Sequence, residues 1–383
     1  MTDDQQNDMP PIDTDFLDDT QKSLLWIVAN EIKENPEYMY VIRPNRFGNS
    51  TADTFVMHLR EGRSDVPWFV KIDEIDKIKQ EKDGIELWTD FLSAARGIKT
   101  PKSIVDGRSI VAYPYIPDSP TGNFATKELK DILYEEKEFE VLKKIFENLY
   151  NGLCGRAHNS SEFKSLKLID EYQWYLRDNR SWDRIKATFS GKHEEEKFNF
   201  LGTEILNPQW LLNNGFKKDT FCNIGTVHGD LHASNVIIDS TDTPNLIDFA
   251  WGHRDAHVLK DFVLMESSVR FMLFPSHLNM DEQLKIDNIL LQEDGYLDAP
   301  KLVENSQLKF HYERMAEIVG IIRTQARALW EGNTQNFDFS EYLAAQFLVL
   351  YGLLNYDTYN FHVGGRALGL IARELKDTDF GYN

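Results

Sequence analysis

Short apolar runs fill the first third of the chain, and apolar residues at helical spacing fill most of the remainder. Leu24, Leu25 and Val28 share one helical face, which predicts a helix near residues 20–34. A charged amphipathic pattern predicts a second helix over 75–92. Apolar, β-rich runs predict strands at 38–42, 54–59, 68–72 and 109–116. Pro114 places the last of these runs at a sheet edge or a strand end.

The pattern changes from residue 127 onward. Long apolar periodicities predict helices over 128–151, 255–275, 308–331, 340–358 and 365–376, with a short hairpin of Val236–Ile238 and Leu246–Phe249 between them. These elements predict an α+β fold with two lobes, a small β-rich N-terminal lobe and a larger helical C-terminal lobe. We expect an acidic tail at 1–19, the first lobe at 20–117 and the second at 118–383, because the Pro/Gly/Ser-rich stretch 117–122 suits a linker.

The composition of the chain limits the classes of partner and the cellular compartment that we expect. The chain has 383 residues, with 42 basic and 62 acidic side chains and a net charge of −20. We therefore expect repulsion from nucleic-acid phosphates and anionic membranes. The two cysteines, Cys154 and Cys222, have neither metal-ligand nor disulfide spacing, which favours a reducing cytoplasm. Nothing in the pattern specifies an oligomeric state.

The stretch 227–253, VHGDLHASNVIIDSTDTPNLIDFAWGH, carries the chemistry. If its two apolar runs pair as a hairpin closed by residues 240–243, Asn235 lies opposite Asp248, and cross-strand neighbours sit ~5 Å apart. An amide oxygen and a carboxylate are hard ligands of the kind that Mg²⁺ prefers. Asp230, on the incoming loop, is placed to accept a proton from an attacking hydroxyl.

This segment resembles the catalytic set of kinases, in which H-R-D-L-x-x-x-N is followed by D-F-G. Here the string from His228 to Asn235 keeps the Asp-to-Asn spacing, and Asp248-Phe249-Ala250 stands at the D-F-G position. The form H-G-D-L-H-x-x-N is similar to the aminoglycoside phosphotransferase and choline kinase branch. The longer string over 246–270 resembles the ternary-complex-associated kinase-like domains of bacteria. The resemblance implies a two-lobed protein-kinase-like fold that uses ATP and Mg²⁺, with Asp261 anchoring the loop after Asp248.

The resemblance also implies nucleotide-binding residues in the first lobe. Lys71, in a V-A-I-K-like strand, would hold the α- and β-phosphates, and Glu81, or failing that Glu86, would hold Lys71. Between the first two strands lies a loop suited to cover the phosphates, with Gly48, Asn49, Ser50 and Thr51. Tyr115 and Ile116 stand where the interlobe hinge would meet adenine.

The expected reaction is transfer of the ATP γ-phosphate to a hydroxyl of a small molecule. Aromatic residues within 160–225, among them Tyr172, Tyr175 and Trp210, suit an amine-bearing metabolite or amino sugar, and they equally suit an ordinary helical core. The alternatives are a catalytically inactive nucleotide-binding module, a kinase that acts on a protein partner in bacterial conflict or signalling, and transfer of AMP. A zinc hydrolase is a further alternative because His228 and His232 have i, i+4 spacing, although Gly229 stands where the general-base Glu belongs.

Overall fold

The computed structural model describes most of the chain between residues 16 and 381. The gaps in this description are 34–35, 37, 44–51, 62–63, 93, 115–126, 135–137, 161, 177–187, 189–194, 240, 274–279, 303–305 and 331–336. Two compact units divide the chain. Unit 1 contains Met1–Glu128 and Ile237–His253, and unit 2 contains Leu129–Val236 and Arg254–Asn383.

Helices account for most of the regular structure. The α-helices, in chain order α1 to α13, are Asp19–Ile32, Ile75–Trp88, Leu129–Tyr134, Phe139–Glu147, Gly155–Asn159, Leu168–Glu171, Gln173–Leu176, Pro208–Asn214, Leu259–Ser268, Met280–Ile289, Ser306–Ala328, Phe339–Leu353 and Phe361–Leu375. Two π-helical segments, Asn148–Leu153 and Val269–Leu273, continue α4 and α9. Short 3₁₀ turns occur at Ala94–Gly97, Ala233–Asn235, Phe249–Trp251, Gly295–Leu297 and Ala299–Leu302.

The strands form small sheets. In chain order β1 to β12 they are Tyr38–Ile42, Asp53–Glu61, Ser64–Glu74, Arg108–Pro114, Lys127–Glu128, Glu162–Leu166, Lys197–Phe200, Thr203–Leu206, Thr220–Val227, Val236–Ile238, Pro244–Leu246 and His253–His257. The predicted α+β class, with a β-rich N-terminal part and a larger helical part, is confirmed by this arrangement.

Unit 1 is built on an antiparallel sheet in the order β1-β2-β3-β4. Lys71 lies on β3 and pairs with Thr54 on one side and Val111 on the other, so both neighbouring strands fix its backbone. The strand β4 ends at Pro114 and is the last of the four, as the proline predicted. The apolar face of α1, with Leu24 and Val28, is buried in one cluster with the inward side chains of this sheet.

A glycine in α2 allows a close approach between that helix and the turn at Asp248. A Cβ atom added at Gly84 would lie 1.8 Å from the carbonyl oxygen of Phe249, which is far inside van der Waals contact. The Phe249 ring is buried and lies 5.9 Å from Trp88 and 6.4 Å from Tyr113, measured between ring centroids. The helix and the turn are therefore packed backbone to backbone, with aromatic rings beside the contact.

Unit 2 is organised around two buried helices. Every residue of α9 is buried, and every residue of α12 from Glu341 to Leu353 is buried as well. A helix that is buried on all sides requires neighbours on all sides, and its polar side chains require partners there. A sheet in the order β12-β9-β6, in which β6 and β9 pair antiparallel, and the helices α11 and α13 are further parts of this unit.

Glu266 on α9 binds two buried arginines. Its carboxylate accepts hydrogen bonds from Arg323 at 2.9 and 3.0 Å, from Arg270 at 3.0 Å and from the Tyr342 hydroxyl at 2.7 Å. Burial alone would raise the pKa of Glu266, but the charges of Arg323 and Arg270 outweigh burial and lower the pKa to about 2. This carboxylate joins α9 to α11 and α12.

Two predicted helices differ from those observed. The helix expected over 255–275 begins only at Leu259, because 253–257 pairs as a strand beside β9. The helix expected over 128–151 is divided into α3 and α4 and ends in a π-helical segment. Among the residues that the structure describes, no helix has both the length and the apolarity needed to cross a membrane.

We predict that Glu266→Gln destabilises unit 2 by about 3–5 kcal/mol, because the change leaves buried arginine charges without their partner. Denaturant unfolding measures the loss. Glu374→Gln, an exposed partner of Arg373, is the matched control and should cost at most about 1 kcal/mol. Equal effects of the two substitutions would contradict the structural role of Glu266.

The same carboxylate gives a pH dependence. The pKa of Glu266 is about 2 in the folded protein and 4.5 ordinarily, so its contribution to stability is full above pH 4.5 and is lost as the pH falls towards 2. Glu266→Gln should therefore lose less stability than the wild type between these two pH values.

We also predict that Gly84→Ala destabilises unit 1 by about 1–3 kcal/mol, because the new methyl group forces the helix and the Phe249 turn apart. In an open helix the same change would stabilise by about 1 kcal/mol. Gly152→Ala is the control, since a Cβ atom there has no neighbour within 4 Å. Stabilisation by both substitutions, measured in denaturant, would refute the close contact.

Candidate active site

One largely buried ammonium group lies between two carboxylates in unit 1. The Lys71 Nζ atom is 2.9 Å from Glu81 Oε2 and 2.9 Å from Asp248 Oδ1. Lys71 is supplied by β3, Glu81 by α2, and Asp248 by the turn that follows β11. Glu86, the second choice from the sequence, lies 3.7 Å from Lys82 on the exposed side of α2.

The electrostatics of this trio follow from burial and from its uneven charge. Burial alone would lower the pKa of Lys71, but the carboxylates of Asp248 and Glu81 outweigh it and raise the pKa, so the ammonium stays charged. Burial and the nearby Asp248 charge raise the pKa of Glu81 to about 7. Two carboxylates thus compete for one cation.

Two further groups fix the Glu81 carboxylate. The backbone N–H of Phe249 donates to Glu81 Oε1 at 2.6 Å, and the Tyr113 hydroxyl donates to the same oxygen. Burial and the Glu81 charge raise the pKa of Tyr113 well above its usual value, so its hydroxyl stays a donor. The sequence pattern placed Tyr113 at the start of the predicted hinge, 113–117, and it indicated no contact of the Tyr113 hydroxyl or the Phe249 N–H with Glu81.

Asp248 has an unusual backbone conformation. Its φ and ψ angles are 64° and 68°, in the left-handed region that residues other than glycine seldom occupy. Such strain persists only where surrounding contacts enforce it, and it clusters at functional sites. The side chain retains 31% exposure, whereas Glu81 has none.

A second group of predicted residues lies on the loop after β9 in unit 2. Gly229 has a φ of 78°, which favours glycine, and the turn there leads into Asp230. The Nδ2 atom of Asn235 donates to the backbone oxygen of Asp230 at 2.9 Å and to its Oδ2 at 3.2 Å. Asp230 keeps 31% exposure, and Asn235 still has its amide oxygen as a possible ligand.

Asp261 is the anchor of this loop. Its buried carboxylate accepts the backbone N–H groups of His228 at 2.8 Å and Gly229 at 2.9 Å, and it lies 2.9 Å from His158 Nε2. Burial would raise the pKa of Asp261, but the bond to His158 and the neighbouring histidines lower it. We expected Asp261 to anchor the loop after Asp248; instead, the structure shows its carboxylate on the loop before Asp230.

Two buried tyrosines surround the loop. The Tyr175 hydroxyl donates to the Gly229 carbonyl at 3.2 Å. Burial, followed by the Asp230 charge, raises the pKa of both Tyr175 and Tyr359. Tyr172, one of the aromatic residues considered from the sequence, is fully buried and belongs to the core.

The zinc alternative fails on local geometry. Residues 228–232 are not helical, so the i, i+4 spacing of His228 and His232 does not direct both rings to one side. The Nδ1 atom of His232 instead accepts the Ser234 N–H at 3.2 Å and caps the following 3₁₀ turn.

The charge of the Lys71 trio fits a divalent cation at Asp248. One ammonium facing two carboxylates leaves one negative charge in a largely buried cluster, and the raised pKa of Glu81 reports this crowding. A cation bound by the exposed Asp248 oxygens would compensate this excess negative charge. Carboxylate oxygens such as those of Asp248 are donors that Mg²⁺ uses.

The remaining predicted site residues lie outside the described part of the chain. They are Gly48, Asn49, Ser50 and Thr51 of the phosphate-covering loop, and Tyr115 and Ile116 of the hinge.

Solved structures similar to this chain include small-molecule kinases. A choline kinase from Streptococcus pneumoniae is 12% identical, with a TM-score of 0.41, over 87% of this chain and 93% of that chain. A thermostable mutant of an aminoglycoside phosphotransferase is 9% identical, with a TM-score of 0.38, over 91% and 98%. An ethanolamine kinase from Plasmodium vivax is 14% identical, with a TM-score of 0.34, over 89% and 88%. No curated protein sequence matches significantly.

A family model matches a stretch of unit 2 and the hairpin that belongs to unit 1. The matched residues are 175–354, and the family is described as ternary complex associated domain 9. They include Asp230, Asn235, Asp248 and Asp261. The resemblance to the ternary-complex-associated domains that the sequence predicted is therefore confirmed over residues 175–354.

Proposed function

We propose that this protein is a Mg²⁺-ATP-dependent phosphotransferase that moves the γ-phosphate of ATP to a hydroxyl group of a small molecule. The observation that carries the proposal is the Lys71 ammonium, held 2.9 Å from both Glu81 and Asp248 in a buried cluster. In protein kinases a strand lysine paired with a helix glutamate, together with the metal-binding Asp, is required for activity. The left-handed backbone of Asp248 beside this lysine is of the kind that clusters at functional sites.

Lys71 would hold the α- and β-phosphates, and Glu81 would keep its ammonium in place. Asp248 and Asn235 would bind Mg²⁺, which when bound neutralises phosphate charge. The loop with Gly48, Asn49, Ser50 and Thr51 would cover the phosphates, and Tyr115 and Ile116 would meet the adenine. Catalysis of this kind depends on position and charge more than on covalent help from the protein.

Asp230 would act on the acceptor. Its carboxylate would accept the hydroxyl proton as the acceptor oxygen bonds to the γ-phosphorus and the bond from phosphorus to the departing ADP oxygen breaks. Asn235 fixes this carboxylate through Nδ2, and Asp261 fixes the loop backbone, so Asp230 would enter the reaction already positioned.

The first test is nucleotide binding. ATP at ~100 Kd should raise stability by about 2.7 kcal/mol in the presence of Mg²⁺, measured by thermal shift or calorimetry. Asp248→Ala should abolish the Mg²⁺-dependent part, because it removes a metal ligand. Asp83→Ala, at an exposed position on α2, is the control and should bind as the wild type does. ATP binding that is unaffected by Mg²⁺ would remove Asp248 from the metal site.

The second test is turnover with ATP labelled in the γ-phosphate. Asp230→Ala should bind ATP normally and lose about 10²–10⁴-fold in kcat, which is the usual contribution of a general base. Asp298→Ala, at an exposed position in unit 2, is the control. Wild-type turnover by Asp230→Ala would refute its role, and binding without turnover in the wild type would support an inactive module.

The same assay tests the class of acceptor. Label in a small molecule supports the proposal, whereas label in protein supports a protein acceptor.

A further inference from the structure

Three potential metal ligands from distant parts of the sequence meet in the interior of unit 2. Cys222 lies on β9, His257 at the end of β12, and Glu341 in the first turn of α12. Their ligand atoms all lie within 4.8 Å of one another, and all three residues are buried. His257 Nε2 is 2.8 Å from Glu341 Oε1.

The groups around this cluster orient the histidine. The Tyr172 hydroxyl lies 2.9 Å from His257 Nδ1, so the other ring nitrogen, Nε2, faces Glu341. The backbone N–H of His257 donates to Glu171 at 3.2 Å. A histidine that binds a metal usually has a hydrogen-bond partner on its other ring nitrogen. This partner orients the ring and leaves the first nitrogen for the metal.

The charges of the cluster call for a cation. Glu171, the other carboxylate beside His257, already has its counter-charge in Lys260, whose Nζ lies 2.7 Å away. Glu341 is bonded to a histidine and to a thiol, and neither is a permanent cation. A buried carboxylate without a cation is costly. A divalent ion bound by a carboxylate, a thiolate and a neutral imidazole has a net charge of zero.

We propose that Cys222, His257 and Glu341 bind a divalent transition-metal ion, and that zinc is the ion their donors favour. A thiolate, an imidazole and a carboxylate together form a zinc-type ligand set, whereas Mg²⁺ and Ca²⁺ take oxygen ligands. Zinc binds sulfur at about 2.3 Å and nitrogen or oxygen at about 2.0–2.2 Å, so its ligands fit within the observed separations once His257 and Glu341 move slightly apart. These residues supply three of the four ligands of a tetrahedral zinc ion, and a water molecule would take the fourth position.

Binding would exchange one proton for the ion. Cys222 would bind the ion as a thiolate, so a protonated thiol must first lose its proton. When the ion binds, the S–H bond breaks, the sulfur–metal bond forms and the proton leaves to solvent, with no change in oxidation state.

The ion would tie together the elements that carry the Asp230 loop. The strand β9, which holds Cys222, ends at Val227 and runs directly into that loop. Next to it in the sheet is β12, which supplies His257 and leads into α9, the helix of Asp261. Glu341 adds α12 to the same point. The proposed role is structural, and it stands apart from the Mg²⁺ of the proposed reaction.

Metal content of the full-length protein tests this inference. The chain should be produced without a polyhistidine tag, dialysed against a weak chelator and analysed by mass spectrometry of the elements. We expect about one zinc per chain, as in structural zinc sites. Cys222→Ser and the nearly isosteric Glu341→Gln should each lower the content at least about tenfold, since even outer-shell changes cost that much affinity. Cys154→Ser, which changes the other buried cysteine, should keep the zinc.

Cobalt provides a second readout that does not depend on activity. Co²⁺ added to chelator-treated wild-type protein and to Cys154→Ser should give a thiolate-to-cobalt charge-transfer band, and Cys222→Ser should lack it. Circular dichroism checks that each variant folds. If Cys222→Ser does not fold, the metal content of Glu341→Gln and the cobalt spectrum of the wild type decide whether the site exists. Wild-type protein without stoichiometric zinc or a cobalt band, or equal metal in all variants, would overturn the site and leave a hydrogen-bonded Cys-His-Glu triad.

Discussion

The interaction on which unit 1 depends is the contact of one buried lysine with two carboxylates. Lys71 can stay charged in the interior only because Glu81 and Asp248 outweigh the cost of burial. Glu81 in turn requires α2 to lie against the Asp248 turn, and Gly84 is the position that permits this approach. Strand, helix and turn are therefore linked through a single charge.

In unit 2, buried charged groups are likewise organised by a single helix. The helix α9 carries two fully buried carboxylates, Asp261 near its start and Glu266 near its end. Asp261 binds the backbone of the Asp230 loop, and Glu266 binds arginines from the same helix and from α11. The loop that carries the proposed base is thus anchored to the helix that organises the core. Changes in the packing of α9 would be expected to alter the position of Asp230.

Most of the local structure follows from the sequence pattern. Apolar, β-rich runs predicted the strands of the sheet of unit 1, and Pro114 predicted the end of its last strand. The pattern was wrong where tertiary contacts overrode local preference. Residues 253–257 have helical neighbours in sequence, yet they form a strand because β9 offers an edge to pair with. The periodicity of apolar residues is a local property of the sequence, so it does not indicate whether a partner strand lies nearby.

By itself, the sequence determined the strand with its lysine, the loop with its Asp-to-Asn spacing, and the α+β class, because each is encoded in a short stretch. Only the tertiary structure decided that Glu81, and not Glu86, meets Lys71. It also brought Cys222, whose spacing in the sequence had indicated no metal site, to one buried point with His257 and Glu341. Such partnerships depend on which groups are buried together far from water, and burial is a property of the whole packed chain.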